Sequence, residues 1–454
     1  MRIPRKLIAG ALAGLFASAA GAADLIQVWQ AAVQHDRDHA VARAAEAAAQ
    51  PRRELAASLW RPNVGASVTA GLGSSESSVR GAQFSAPGFG TSSGVAFDTS
   101  VTGAASTRWA VSATQPLYNP ERRAQQRQLR LGADIAELEF TAAHQGLMLK
   151  TAERYFELAL AEESLRVQKL RLEAIQRAAS EAEDRYNLGA IPVTGTHEAR
   201  ASLAGARAQV LAAESEVQVR RSQLADSTGL SEAGLQVRLP VRDAAAQAPR
   251  ALELWRTDAD AGNPELRILR IAADIAQAEA TKFAAASAPT LDLIAQASRD
   301  RISGSGDFGS ASNAATNHIV GLKATIPLYT GGYRDAKADE AARLADKAVA
   351  EYERRRQQVG QQVQAVWLGL SAGAGQVKAL AEGVVAGTAR RDATQTGVQV
   401  GHRATQDLLN AESDLAAMQL QLSRARVGLL LDQLRLELLA GRLDEARLQT
   451  IAAQ

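Results

Sequence analysis

One stretch of this chain occurs twice, and its spacing constrains the fold more than any other feature. Gln115-Pro116-Leu117-Tyr118 precedes a long helical run that ends in Arg185-Tyr186-Asn187-Leu188-Gly189. Ile326-Pro327-Leu328-Tyr329-Thr330-Gly331-Gly332 precedes a run of similar length that ends in Gly397-Val398-Gln399-Val400-Gly401. Pro116 and Pro327 lie 211 residues apart, and Gly189/Gly401 and Gly229/Gly441 each lie 212 apart. So constant an offset marks a duplicated architecture whose halves fold alike. For 454 residues, two fused equivalents of one domain are more economical than several unrelated domains. The repeats are read as residues 23–229 and 250–441, with a polar connection over 230–249 and a tail over 442–454.

Residues 1–22 have the form of a secretory signal peptide: Arg2, Arg5 and Lys6, an apolar run from Leu7 to Ala17, then Ala20-Gly21-Ala22. Its removal discards three positive charges and takes the formal net charge from +2 to −1. The mature chain therefore has no basic excess for nucleic acid, and none is expected as a partner. No later segment approaches 18 uninterrupted apolar residues, so a membrane-spanning helix is not expected. The absence of cysteine excludes disulfides, thiol catalysis, thiolate metal sites and an acylated N-terminal cysteine. Aromatic residues make up 4% of the chain while Ala, Leu, Gln, Arg and Glu fill the long runs, which is the composition of long helices and coiled coils.

Asp24 to Leu59 reads as helix, capped by Asp24 and kinked or interrupted at Pro51. His35 and His39 lie one turn apart, a spacing found in two-histidine metal sites, but no further ligand cluster accompanies them and a solvated helix face is expected. After Trp60 the period becomes two. Val64, Ala66, Val68, Ala70 and Leu72 alternate with small polar residues over about nine positions. A Gly/Ser-rich loop over roughly 73–106 follows, and Trp109, Val111 and Ala113 then alternate up to Pro116. The second half repeats the plan with Leu291, Leu293, Ala295 and Ala297, a polar loop, then Val320, Leu322, Ala324 and Ile326. Within that loop Gly304-Ser305-Gly306-Asp307-Phe308-Gly309 has the G-x-G-x-x-G spacing, but no helix opens at its third glycine, so a flexible loop is the reading.

Strands of about nine to eleven residues cross an outer membrane when tilted, with one face on lipid and one on water. Four strands cannot close a barrel alone and open edges do not exist in lipid, so a membrane reading requires oligomerisation. Trp60, Trp109, Tyr118 and Tyr329 are expected at strand ends as interfacial aromatics.

From Pro120 to Leu188 apolar residues recur every three and four positions, as in Leu131, Ile135, Leu138, Ala142, and later Leu165, Leu172, Ile175, Ala179. This implies a supercoiled helix of some 70 residues and roughly 100 Å. Gly189 ends it, Ile191-Pro192 turns the chain, and a helix from Thr196 to Thr228 returns antiparallel to a Gly229 cap. The second half turns at Gly401-His402-Arg403, returns over Asp407–Ala440 and is capped by Gly441.

The order of these elements, the two Pro-Leu-Tyr strand exits and the Leu-Gly-Ala-Ile-Pro-Val-Thr and Val-Gly-His-Arg turns resemble the TolC-type outer-membrane channels of efflux pumps and type I secretion systems. The resemblance covers essentially the whole mature chain. It implies a mainly α chain with a small β part, assembled as a homotrimer: a twelve-stranded barrel in outer-membrane lipid, continued by a helical tunnel through the Gram-negative periplasm. It implies a periplasmic adaptor and an inner-membrane ABC or RND transporter as partners, and no cofactor.

In that family the tunnel tip is closed by packing and by charges among the turns. Carried over by position, the turn arginine is Arg403, the first aperture aspartate is Asp407, and the second is replaced by Asn410, so cation selectivity should be weaker. The usual turn tyrosine is Val398 and the expected acidic partner is Gly195. Arg403 then finds Glu198, Glu412 or Asp407, or packing alone holds the closed state. A periplasmic coiled-coil adaptor without a pore is the competing reading; it explains the heptads but not four amphipathic strands. Six scattered histidines with no thiol and no nucleophile elbow give no catalytic constellation, so no enzyme is expected. Both protein secretion and drug efflux fit, the Ala-Ile-Pro-Val-Thr turn leaning toward secretion.

Overall fold

The computed structural model describes residues 24–235, 237–239, 250–285, 288–306 and 309–452. The expected signal peptide, the connection from 240 to 249 with its two prolines, and Asp307-Phe308 of the glycine-rich motif lie outside these. Two compact units form, and they cut across the sequence repeats. The first comprises Met1–Glu46, Glu137–Ile268 and Tyr352–Gln454; the second comprises Ala47–Ala136 and Leu269–Glu351.

The second unit carries the sheet. Strands β1 (Asn63–Ala86), β2 (Gly90–Tyr118), β3 (Thr290–Gly306) and β4 (Gly309–Thr325) pair antiparallel in the order β1-β2-β3-β4, so β1 and β4 are its outer strands. The expected loop over 73–106 is instead the distal ladder of the β1–β2 hairpin, pairing down to Ala86↔Gly90 with register shifts after Gly73, Val79 and Ala82. Glycine and serine have low strand propensity, so the local signal fails there, while closure of the hairpin carries the hydrogen-bonding onward. The polar loop of the second half is likewise strand, paired without interruption from Thr290↔Thr325 to Gly306↔Gly309.

The longer β2 takes one of the four aromatics, Trp109, away from a strand end. Tyr118 ends β2, but Trp109 stands inside it opposite Val68, Trp60 lies in the turn before β1, and Tyr329 lies beyond β4. The strand-exit motifs also differ. Gln115 donates to the Trp60 carbonyl at 2.8 Å and ties the entry of β1 to the exit of β2, a bond that Ile326 in the second copy cannot make. Asn119 then caps α4 (Pro120–Asn187) by accepting the Arg122 N–H at 3.0 Å, with Pro120 at the first helical position.

The first unit holds the main apolar core. Leu25, Val28, Trp29 and Ala32 of α1 (Leu25–His35) pack with Phe156 and Leu158 of α4, Leu224 of α5 (Val193–Thr228), Leu434 of α9 (Thr405–Leu439) and Leu448 of α10 (Glu445–Ala452). A second cluster joins Trp255 of α6 (Leu252–Gly262) and Leu266 of α7 (Pro264–Ala284) to Val359 and Val363 of α8 (Tyr333–Gln399) and Leu436 of α9. Leu235 and Val237, the described start of the inter-repeat connection, are buried in the first cluster.

The single helix expected from Asp24 to Leu59 is three: α1, α2 (Arg37–Glu46) and α3 (Ala49–Ser58). Asp24 sits at the start of α1 without a side-chain cap bond. The chain breaks at Asp36, whose carboxylate accepts the His39 N–H at 3.0 Å and so starts α2. Asn263 does the same for α7, accepting the Leu266 N–H at 3.1 Å. Pro51 falls in the first turn of α3, where its missing N–H costs nothing.

The break at Asp36 separates the two histidines and overturns the solvated-face reading for His39, which is 2% exposed. Arg43 reaches His39 Nδ1 at 3.4 Å, so Nδ1 accepts and His39 Nε2–H donates to His144 Nδ1 at 3.1 Å. Among the described residues no group of three or more potential ligands could hold a metal ion. Burial first, then the nearby His39 and Arg43, push the His144 imidazole below its ordinary value, against an opposing pull from Glu445. A depressed folded-state value makes its contribution complete at higher pH and lost as pH falls below about 6.5, with a limiting slope of about 1.4 kcal/mol per pH unit.

Two carboxylates of the same unit are shifted in opposite directions. Burial works against the ionised form of Asp36, but the His39 N–H and Lys150 together bring its value down, so its contribution is lost only below 3.8. Burial raises Glu437 from 4.5 despite Arg447 and Arg442, and it acts with the opposite sign. Subtracting the stability of His144→Gln from that of the native chain between about pH 5 and 7 isolates the contribution of the histidine. We expect that difference to shrink on acidification, read as denaturation midpoints; a constant difference overturns it.

Candidate functional site

The two helix-hairpin turns lie together in the first unit. Both close by the same backbone bonds: Ala190 N–H to Arg185 O and His402 N–H to Gly397 O, each at 2.8 Å, around Gly189 and Gly401 at φ +73° and +81°. A left-handed glycine is what such a helix terminus requires. Beneath the turns, Ile175, Ala179 and Ala182 of α4, Ala199 and Ala206 of α5, Val398 of α8 and Leu408 and Leu409 of α9 form one buried cluster. Val398 is 2% exposed and takes its place in this core as an apolar residue.

Of the partners considered for Arg403, the structure brings up Asp407, with Nη1 3.8 Å from Oδ2 and both side chains largely exposed. An exposed pair at that separation is worth well under 1 kcal/mol. Glu412 is engaged by Arg391 at 3.5 Å. Asn410 is exposed on the next turn of α9 and accepts from Gln406 Nε2 at 3.0 Å. Gly195 stands at the start of α5, where an added Cβ would meet Ile191 Cδ1 at 3.3 Å.

Two features were not legible in the sequence. Arg185, in the last turn of α4, donates from Nη1 to the Val398 carbonyl at 2.9 Å and so bonds the first turn to the second. The signal was present in Arg185-Tyr186-Asn187-Leu188-Gly189, but nothing in the spacing says where a long side chain will reach. Gly397 leaves room for the folded-back Arg403, whose Cγ would lie 2.8 Å from a Cβ there. Arg171 adds a second link, donating from α4 to Ser413 of α9 at 2.9 Å. Leu188, Val193 and Val400 remain exposed around the turns.

In the second unit, the register puts Val64, Val68 and Leu72 of β1 on the same face as Val111 of β2, Leu293 of β3 and Val320 and Leu322 of β4. All are exposed, Leu72 at 88% and Val320 at 77%. So extended an apolar face marks a surface made for lipid or a partner. The other face is polar, with Ser67, Thr69, Ser112 and Gln296, and there Arg108 pairs with Asp300. Among the described residues no helix is long and apolar enough to cross a membrane.

Comparison with known proteins agrees. TolC of Vibrio cholerae is 26% identical over 318 residues, covering 70% of this chain and 73% of that protein. The alkaline protease secretion protein AprF of Pseudomonas aeruginosa is 27% identical over 354 residues, covering 76% of this chain and 71% of that one. The crystal structure of CusC superposes with a TM-score of 0.75 over 92% of both chains at 16% identity, so the fold is shared. The family of outer membrane efflux proteins matches residues 28–230 and 255–442. The chain belongs to the outer membrane efflux protein family.

Proposed function

We propose that this chain is the subunit of a homotrimeric outer-membrane exit channel, with a twelve-stranded barrel and a helical tunnel, that gives passive passage to cargo delivered by an inner-membrane transporter and a periplasmic adaptor. The observation that carries the reading is the four-stranded sheet, apolar on one face, with β1 and β4 left as outer strands in one chain. Open edges are not tolerated in lipid, and three copies joined edge to edge would close them. A pore-free periplasmic adaptor has no use for such a sheet. Catalysis is not part of the reading, and no cofactor enters it.

The exposed Leu188, Val193 and Val400 at the turns suit an adaptor that docks there. The closed state is held by the apolar cluster under the turns and by the Arg185 bond, with Arg403–Asp407 a minor contributor. Three Asp407 carboxylates around a narrow aperture would concentrate cations, and Asn410 leaves that ring single. We expect Asp407→Ala to reduce cation preference and divalent block in single-channel recordings; unchanged selectivity would sink the ring.

The similarity to AprF, named for protease secretion, favours protein export over drug efflux. Comparing culture-supernatant proteins between a strain lacking the gene and its complemented partner tests this. Loss and return of one or a few proteins supports secretion. An unchanged supernatant with raised drug susceptibility supports efflux. A detergent-extracted chain that migrates as a monomer and conducts no ions refutes the channel.

A further inference from the structure

Two arginines stand on the wrong face of the sheet for an aqueous role. The β2–β3 and β3–β4 ladders run without a bulge between Ser303 and Asp292, so side chains alternate strictly there. That alternation puts Arg299 and Arg301 on the same face as Leu291, Leu293, Ala295 and Ala297, whereas Asp300 between them points to the polar face and pairs with Arg108. Both arginines are exposed, and among the described residues neither has an ion-pair partner. Trp109 is directly opposite Arg299 across the ladder, and Thr107 is opposite Arg301. On β4 their partners are Thr316 and Ala314. None of these facing positions bears a carboxylate.

Their height along the strand is informative. With a strand tilt near 40°, the rise from Thr290 to Arg299 is about 23 Å, close to the roughly 25 Å apolar band of outer-membrane barrels. The apolar residues from Leu291 to Ala297 occupy about 16 Å of that rise, and the arginines stand at its upper end, where hydrocarbon gives way to headgroups, with Trp109 directly opposite Arg299. Unpaired guanidinium at such a boundary is stable when it meets an anion, and its planar fork matches a phosphate bidentately. Arg299 and Arg301, two residues apart on one face, lie about 7 Å from each other along the strand, a spacing that suits two phosphate oxygen clusters.

We propose that Arg299, Arg301 and Trp109 form a binding site on the barrel exterior for the phosphate groups of a membrane lipid headgroup, a bisphosphorylated glycolipid fitting the paired guanidiniums. The site rests on the outer-membrane reading above. It anchors the sheet at a fixed depth and sits toward the hairpin tips of the strands.

The test uses the full chain reconstituted in vesicles containing either a bisphosphorylated disaccharide lipid or its dephosphorylated form, with lipid retention read by native mass spectrometry. The native protein should retain the phosphorylated form at least about tenfold better, and Arg299→Gln/Arg301→Gln should bring the two to parity. Arg108→Gln, on the polar face, should leave the preference intact, and high salt should weaken it. Equal retention of both lipids by the native protein, or undiminished preference in the double variant, overturns the site. If the chain does not integrate into vesicles at all, the membrane reading itself fails and takes the site with it.

Discussion

Gly441→Ala should cost more than about 3 kcal/mol and lower the thermal midpoint of the first compact unit sharply. Gly441 ends α9 at φ +67°, and an alanine in that left-handed region costs about 1–2 kcal/mol from its own backbone. The greater part of the loss is steric. A Cβ on Gly441 would overlap the Gly262 carbonyl oxygen and lie 2.6 Å from its carbon, and one on Gly262 would overlap the Ala440 oxygen. These obstacles are backbone, so no rotamer relieves them. The crossing is also pinned: Asn263 Nδ2 donates to Leu439 O at 2.9 Å and Gln145 Nε2 to Gly441 O at 3.1 Å. Displacing the Leu439–Gly441 segment would break both bonds, and strain of this kind belongs to the large-effect class of substitutions.

Gly229 is the internal control. It occupies the matching position of the first repeat at φ +69°, but a Cβ there would meet the His35 ring, 2.6 Å from Nδ1. A side chain can swing aside, so Gly229→Ala should cost little beyond the backbone strain of about 1–2 kcal/mol. Circular-dichroism melts of the two variants read the comparison directly. Equal losses would mean that the Gly262–Gly441 crossing contributes nothing special.

At the turns, Arg185→Met keeps the aliphatic stem and removes the 2.9 Å bond to the Val398 carbonyl. That carbonyl keeps the Gly401 N–H at 3.1 Å, so no orphaned acceptor complicates the result. A half-buried, charge-assisted bond contributes about 1–2 kcal/mol. If the bond exists only with the turns together, the open population rises roughly 5- to 30-fold. Single-channel recording should show higher open probability while the thermal midpoint barely moves. Arg403→Met, which loses an exposed pair at 3.8 Å, should change gating by less than about threefold. The reverse ranking would return the main role to Arg403.

Much of the candidate site was legible because it depends on local rules. Gly189 and Gly401 could be read as hairpin turns because a helix terminus of this kind demands a left-handed residue, and both adopt it. Val398 and Asn410 could be read as departures from a charged network, but that Val398 is core could not be read. Arg185 could not be found, since its partner is a backbone oxygen 213 positions along the chain. His39 was misjudged for a related reason: polarity suggested solvent, but Phe140 at 5.4 Å and the His144 bond bury it against α4.

The distal β1–β2 ladder marks the limit of pattern reading. Alternation of Val64 to Leu72 announces a strand because one face must be apolar, whereas Gly and Ser beyond Gly73 carry no periodicity to read. By itself the sequence determined the duplication, the long helices, the four amphipathic strand segments and the turns, all of which follow from periodicity and backbone chemistry within a few residues. The tertiary structure alone decided the full reach of the strands, the break at Asp36, the Gly262–Gly441 crossing and the Arg185 bond. Each of these depends on which distant atoms arrive at a given point, and packing fixes that only once the helices and strands have come together.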